Sequence, residues 1–204
     1  IIVAPTGPLF GFGYPGSTWH AEDDVILVDI VHDFADAFSV DPKKVHVTGF
    51  SRGGFVTWRL ICDHSDLFAS AAPGAAGDGS QFSEATCFSD GRTPARRIPI
   101  AFLMGLSDAS VGYPSMQTIR DAAIASYGAA GPTVLDSDST YTHNQWVNQS
   151  GTVIETFEHS YRTVSDGPWA DAQGHCIPGS TMEPYAPQYA LPCATPNAFV
   201  WGDE

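Results

Sequence analysis

Positive charge is scarce in this chain. Nine lysines and arginines stand against 23 aspartates and glutamates, a formal net charge of −14, and the resulting field repels phosphate backbones and anionic headgroups. Nucleic acid is therefore not an expected partner, and neither is a membrane. Glu22, Asp23 and Asp24 come nearest to an acidic cluster, and the remaining acids are spread as on a solvated surface. Also lacking is any stretch near the roughly twenty apolar residues that span a bilayer. The opening residues do not read as a basic-then-apolar leader, so the chain is expected to be soluble and already processed. Internal repeats and low-complexity tracts are absent.

Cysteine is sparse too, at four residues, and none has the close CxxC spacing of a zinc site or redox pair. Disulfides are the expectation. Of the three possible pairings we favour Cys62 with Cys87 and Cys176 with Cys193, because each would staple a loop beside a proposed catalytic element. Few lysines, many small polar residues and paired cysteines together indicate an exported protein.

With 204 residues, 43% of them hydrophobic, the chain can close one sizeable core, and residues 1–204 read as a single domain, expected to act as a monomer. Ile1, Ile2 and Val3 have the composition of a buried strand with nothing ahead of it to pair, so the beginning looks truncated. Pro5 to Ser17, rich in Gly and Pro, reads as a long loop, and loops of that length tend to be functional. From Ala21, apolar residues Leu27, Ile30, Val31, Phe34 and Phe38 recur at helical spacing, with acids at the start where the helix dipole favours them. Strands are expected at Val45 to Phe50, Leu67 to Ala72 and Ile98 to Met104, the last a continuous apolar run of the kind buried on both faces of a parallel sheet. Ser115 to Tyr127 is helix-like, and Thr152 to Phe157 with Tyr161 to Val164 form a late pair of strands. Strands alternating with helices imply an α/β fold, a mostly parallel sheet with helices on both faces.

The most informative run is VHVTGFSRGGF, Val45 to Phe55. An apolar strand, then GFSRG, then an apolar helix is the context of a nucleophile elbow, in which a sharp turn thrusts the serine hydroxyl out of the sheet. Gly49 and Gly53 are expected to leave room for that turn, and Ser51 is the candidate nucleophile. Such a serine needs an imidazole to take its proton and a carboxylate to orient that imidazole, in the chain order Ser, acid, His. Asp108, just past the Ile98 to Met104 strand, is the candidate acid, with Asp136, Asp138, Asp166 and Asp171 as alternatives. His175, in AQGHCIPG, is the candidate base, with His143 and His159 as rivals; His20, His32, His46 and His64 have ordinary structural or surface roles. The histidines do not converge at metal-ligand spacing, so no metal and no cofactor is expected.

Several segments in one order resemble a known group. DPKKVHVTGFSRGG, DLFASAAPGAAG, IPIAFLMGLSDASVGY, GHCIPG and the closing AFVWGDE are similar to the polyhydroxybutyrate depolymerase and feruloyl esterase family of α/β-hydrolases. The resemblance runs from about Asp41 to the end, and partly earlier through IIVAPTGP and the Trp19 region. It implies an exported serine esterase acting on an ester substrate, possibly polymeric: a hydroxyalkanoate polyester or a hydroxycinnamate-decorated polysaccharide. The same resemblance puts the triad at Ser51, Asp108 and His175. In that mechanism the backbone N–H of Arg52 supplies one oxyanion bond, while Tyr14 and Trp19 are candidates for an apolar wall against the acyl chain, Trp19 being nearly as well explained by core packing. A serine peptidase of the same fold and a non-catalytic binding module on a hydrolase scaffold are the competing functions.

Overall fold

The computed structural model describes residues 1–5, 19–80, 86–88, 91–162, 174–178 and 193. Among these residues six strands form one sheet in the order β1-β2-β3-β6-β5-β4: β1 (His46–Phe50), β2 (Ser70–Gly74), β3 (Ile100–Gly105), β4 (Ala130–Ser137), β5 (Tyr141–Val147) and β6 (Val153–His159). The first three and β6 run parallel, and the β4–β5 hairpin adds an antiparallel edge. Among the described residues three α-helices accompany them, α1 (Asp24–Ala37), α2 (Arg52–Asp63) and α3 (Tyr113–Tyr127).

The main core lies on the face that carries Val47, Ala71 and Ile100, neighbours in one row across β1, β2 and β3. α2 contributes Trp58, whose ring meets Phe102 edge-on at 5.2 Å, and α3 contributes Met116 and Ile119. α1 lays its Leu27 and Val31 against the same cluster, but its far side stays exposed at Val25 and Ile26. What fixes α1 is a buried ion pair: Arg59 of α2 donates Nε and Nη2 to the two carboxylate oxygens of Asp24, each at 2.7 Å, with a further bond to the His20 carbonyl at 3.0 Å. A smaller cluster of Phe157, Tyr161, Cys176 and Cys193, with Leu103 and Tyr141, occupies the opposite face.

Several expectations shift. Ile1, Ile2 and Val3 belong to no strand and are exposed. An apolar run becomes a buried strand only where a sheet edge and a covering layer receive it, and among the described residues nothing pairs with the outer edge of β1. β2 begins three residues later than Leu67, which lies in a turn closed by its N–H to the His64 carbonyl at 3.0 Å. The late pair of strands is different from that expected: β6 covers Val153–His159, its neighbours are β3 and β5, and Tyr161 and Arg162 are not in a strand, with Thr163 and Val164 outside the described residues. The hairpin β4–β5 has no counterpart among the expected strands, because every β4 residue is exposed, so no apolar alternation marks it. The loop read at Pro5 to Ser17 lies, beyond Pro5, outside the described residues.

Replacing Asp24 with Ala would remove the carboxylate that accepts two bonds from the Arg59 guanidinium, which is 2% exposed. Losing one partner of a buried pair costs about 3–5 kcal/mol, so chemical denaturation should show a loss of that order; a loss under about 1 kcal/mol would mean the pair does not anchor α1.

Candidate active site

The carboxyl ends of β1, β2, β3 and β6 share one rim, where open α/β sheets place their ligands. Ser51 follows β1 directly and has φ 55° and ψ −120°, a left-handed conformation that costs of order 1–3 kcal/mol for a residue with a side chain. It is held by its own N–H to the Gly74 carbonyl at 2.9 Å, and its carbonyl accepts from the N–H groups of Gly54 and Phe55 at 2.8 and 3.1 Å. The turn is tight where the chain crosses itself. A Cβ on Gly49 would stand 2.2 Å from the Gly53 carbonyl oxygen, and one on Gly54 would stand 2.4 Å from the Gly74 oxygen. Gly53, by contrast, faces open space, so the glycines that make room are Gly49 and Gly54.

Asp108 lies in the loop leaving β3, nearly fully buried. Its Oδ1 accepts the N–H groups of Ser110 and Val111, both at 2.9 Å, which leaves Oδ2 for His175 Nδ1 at 2.7 Å. The other nitrogen, Nε2, stands 2.9 Å from Ser51 Oγ. The imidazole is buried and packs against Phe50 at 5.0 Å between ring centres. Two glycines let its loop come so close: a Cβ on Gly105 would lie 2.0 Å from the Gly174 oxygen, and Gly174, at φ +76°, has the Asp108 nitrogen 2.5 Å from where its own Cβ would be. The next residue, Cys176, is disulfide-bonded to Cys193, and Cys62 is bonded to Cys87, the pairings favoured from the sequence.

The remaining candidates are distributed as follows. Arg52 opens α2 directly after Ser51, which puts its backbone N–H at a helix N-terminus. Its guanidinium donates Nε to the Trp19 carbonyl at 2.6 Å. Trp19 is half-buried against the main core, and Tyr14 lies outside the described residues. Of the rival histidines, His143 meets Glu155 on the neighbouring strand at 3.1 Å, while His159, at the end of β6, is wholly buried with neither ring nitrogen hydrogen-bonded. Burial pushes the His159 pKa down to about 4 against the opposing pull of the Asp108 charge, so the ring is neutral at ordinary pH. Its imidazole lies beside the Cys176–Cys193 bond; the three possible ligand atoms fall within 4.8 Å of one another. No local spacing could have indicated that meeting, since the three residues come from separate segments. Within β6, Glu158 accepts from Tyr113 at 2.5 Å and Arg120 at 2.9 Å, tying α3 to the sheet; burial, with Glu158 beside it, pushes the Tyr113 hydroxyl up to about 12.

A parallel sheet with a strained serine at the strand-to-helix turn defines an α/β-hydrolase fold. An acetyl xylan esterase from Aspergillus awamori shares it, with a TM-score of 0.55 at 15% identity, over 71% of this chain and 68% of that one. The chain is similar in sequence to two curated proteins. It is 28% identical to poly(3-hydroxyalkanoate) depolymerase C of Paucimonas lemoignei over 149 residues, 70% of this chain and 34% of that protein. To feruloyl esterase B of Piromyces equi it is 30% identical over 128 residues, 57% of this chain and 23% of that protein. The chain thus spans about a third of the first relative and a quarter of the second. No protein-family model matches it.

Two results should follow from this geometry. Gly54→Ala forces a methyl into the Gly74 carbonyl and should destabilise by about 1–3 kcal/mol, whereas Gly53→Ala should be neutral or stabilise by up to about 1 kcal/mol; thermal melts that rank the two the other way would contradict the elbow packing. For His159, the folded pKa of about 4 lies below the ordinary 6.5, so between those values the unfolded chain binds the additional proton and stability falls as pH falls, by up to about 1.4 kcal/mol per pH unit. His159→Phe should flatten that part of the pH–stability curve in urea denaturation; an unchanged slope between pH 6.5 and 4 would mean that the imidazole is not buried neutral.

Proposed function

We propose that this chain is the catalytic part of an exported serine esterase that cleaves carboxylic esters through an acyl-enzyme, with residues 1–204 forming one domain. The observation that supports it most is the unbroken relay from Ser51 Oγ to His175 Nε2 at 2.9 Å and from His175 Nδ1 to Asp108 at 2.7 Å. In the reaction, Ser51 Oγ attacks the ester carbonyl while His175 Nε2 takes its proton. Asp108, held by two amide N–H groups on Oδ1, fixes through Oδ2 the tautomer that presents a bare Nε2 to the serine. The imidazolium that forms is stabilised by the same carboxylate. Negative charge developing on the carbonyl oxygen is met by the backbone N–H of Arg52 at the start of α2; one donor of that kind contributes about 10²–10³ in rate. His175 then returns the proton to the leaving alcohol, and a water activated by the same nitrogen hydrolyses the acyl-enzyme.

The names of the relatives point to two ester classes, hydroxyalkanoate polyesters and feruloyl esters. Trp19 and Tyr14 are our candidates for the wall that grips the acyl group. Two disulfides support export to an oxidising compartment. Among the described residues no helix is long and apolar enough to cross a membrane.

Short p-nitrophenyl esters and a peptide substrate, tested on the wild type and on Ser51→Ala, decide the reading. Ester turnover should fall by about 10⁴-fold or more in the variant, and by a similar factor in Asp108→Asn. Undiminished turnover in Ser51→Ala would remove the serine from the chemistry, and cleavage of the peptide with no ester turnover would make the protein a peptidase. Poly(3-hydroxybutyrate) film against methyl ferulate then separates the two ester classes.

A further inference from the structure

Outside the relay, the group least accounted for is His159. It is 0% exposed, and both ring nitrogens lack a hydrogen-bond partner. Leaving a buried polar group unpaired costs about 1–3 kcal/mol, and in native proteins such a group usually has an occupant to meet. The ring is stacked on Tyr161 at 5.4 Å and packs near Phe157 at 6.3 Å between centres, so it cannot swing away to find solvent. What it faces is sulfur: a ring nitrogen and the Sγ atoms of Cys176 and Cys193 all lie within 4.8 Å of one another.

We propose that His159, Cys176 and Cys193 form a redox-gated site for a thiophilic divalent metal ion of the zinc type, closed while the cysteines are bonded to each other and opened when a dithiol reduces them. The first thiolate of the dithiol attacks one cysteine sulfur, forming a mixed disulfide and releasing the other cysteine as a thiolate. The second thiol of the reagent then displaces the remaining cysteine and departs as a cyclic disulfide. Two electrons have passed to the protein, which now carries two thiols. Metal binding expels their two protons and sets two thiolates and one imidazole nitrogen around the ion. With metal–sulfur bonds of about 2.3 Å and metal–nitrogen bonds of about 2.0–2.1 Å, tetrahedral ligand atoms sit roughly 3.5–4 Å apart, so the three present atoms need only small movements. A second link joins the two segments besides the disulfide: the Cys193 N–H donates to the Ile177 carbonyl at 3.3 Å. The fourth position is left for a water. The Cys62–Cys87 bond has no third ligand of this kind among the described residues, which makes the site specific to the staple that follows His175.

The full chain is reduced with dithiothreitol, freed of reagent without air, and titrated with Cd²⁺ while the thiolate-to-metal ultraviolet band is followed. Reduced wild type should take up one ion per chain and the oxidised protein none. His159→Phe should weaken uptake by about tenfold or more, Cys193→Ser should abolish it, and Cys87→Ser should leave it intact. Absence of a band in reduced wild type, equal affinity in His159→Phe, or a band that depends on Cys87 instead of Cys193 would overturn the proposal. Because substitution or reduction could unfold the chain, X-ray absorption on the reduced wild type loaded with Zn²⁺ reads the ligand set directly. Two sulfurs with one imidazole nitrogen are expected; four sulfurs, or only light atoms, would overturn the assignment. None of these readouts requires esterase activity, so the proposal stands or fails separately from the function proposed above.

Discussion

One strained residue governs the geometry of the site. Ser51 sits at φ 55° and ψ −120°, and such a backbone persists only where its surroundings over-determine it. Here they do. Its amide is bonded to β2, its carbonyl is the first acceptor of α2, and α2 is buried continuously from Gly54 to Cys62. The helix cannot relax away without exposing Phe55, Trp58, Leu60 and Ile61, and each such side chain is worth about 1.5–3 kcal/mol when buried. Hydrophobic packing of one helix thereby holds a hydroxyl in a position that the local chain would not choose.

The second constraint is close approach without side chains. Gly49 lets the chain double back across the elbow, Gly54 lets α2 touch β2, and Gly105 with Gly174 lets the His175 loop settle on the Asp108 loop. Each contact would be closed by a methyl group. The imidazole then needs little else to hold it: Asp108 is fixed by the Ser110 and Val111 amides, and Cys176 is tied to Cys193 one residue past the imidazole. The relay is consequently assembled from three loops on one rim, each pinned by a different means, namely packing, amide bonds and a disulfide.

How much of this is legible in the sequence depends on how local each signal is. The elbow is local: strand, GFSRG and helix lie in one run, and Ser51 can be read from it. Asp108 and His175 follow from the order that the mechanism requires and from the turn residues around them, and both disulfide pairings come from the loops they would staple. The β4–β5 hairpin leaves little trace because every β4 residue is exposed and needs no apolar alternation, while Ile1 to Val3 carry the composition of a strand yet pair with no strand among the described residues. The pentapeptide draws attention to Gly53 and away from Gly54, since which glycine is crowded depends on the partner strand, a contact between segments. His159 reads as a rival base; its burial beside the Cys176–Cys193 bond is a tertiary fact that spacing does not encode.

The central claim is that the hydroxyl at 51 is made nucleophilic by the imidazole at 175. Covalent trapping tests it most directly: the protein is treated with an alkyl fluorophosphonate, and the adduct is located by intact mass and peptide mapping. A single modification on Ser51, lost when His175 is replaced by Ala in a chain that keeps its folded spectrum, is the predicted result. Labelling at another serine, or equal labelling of Ser51 without His175, would contradict it.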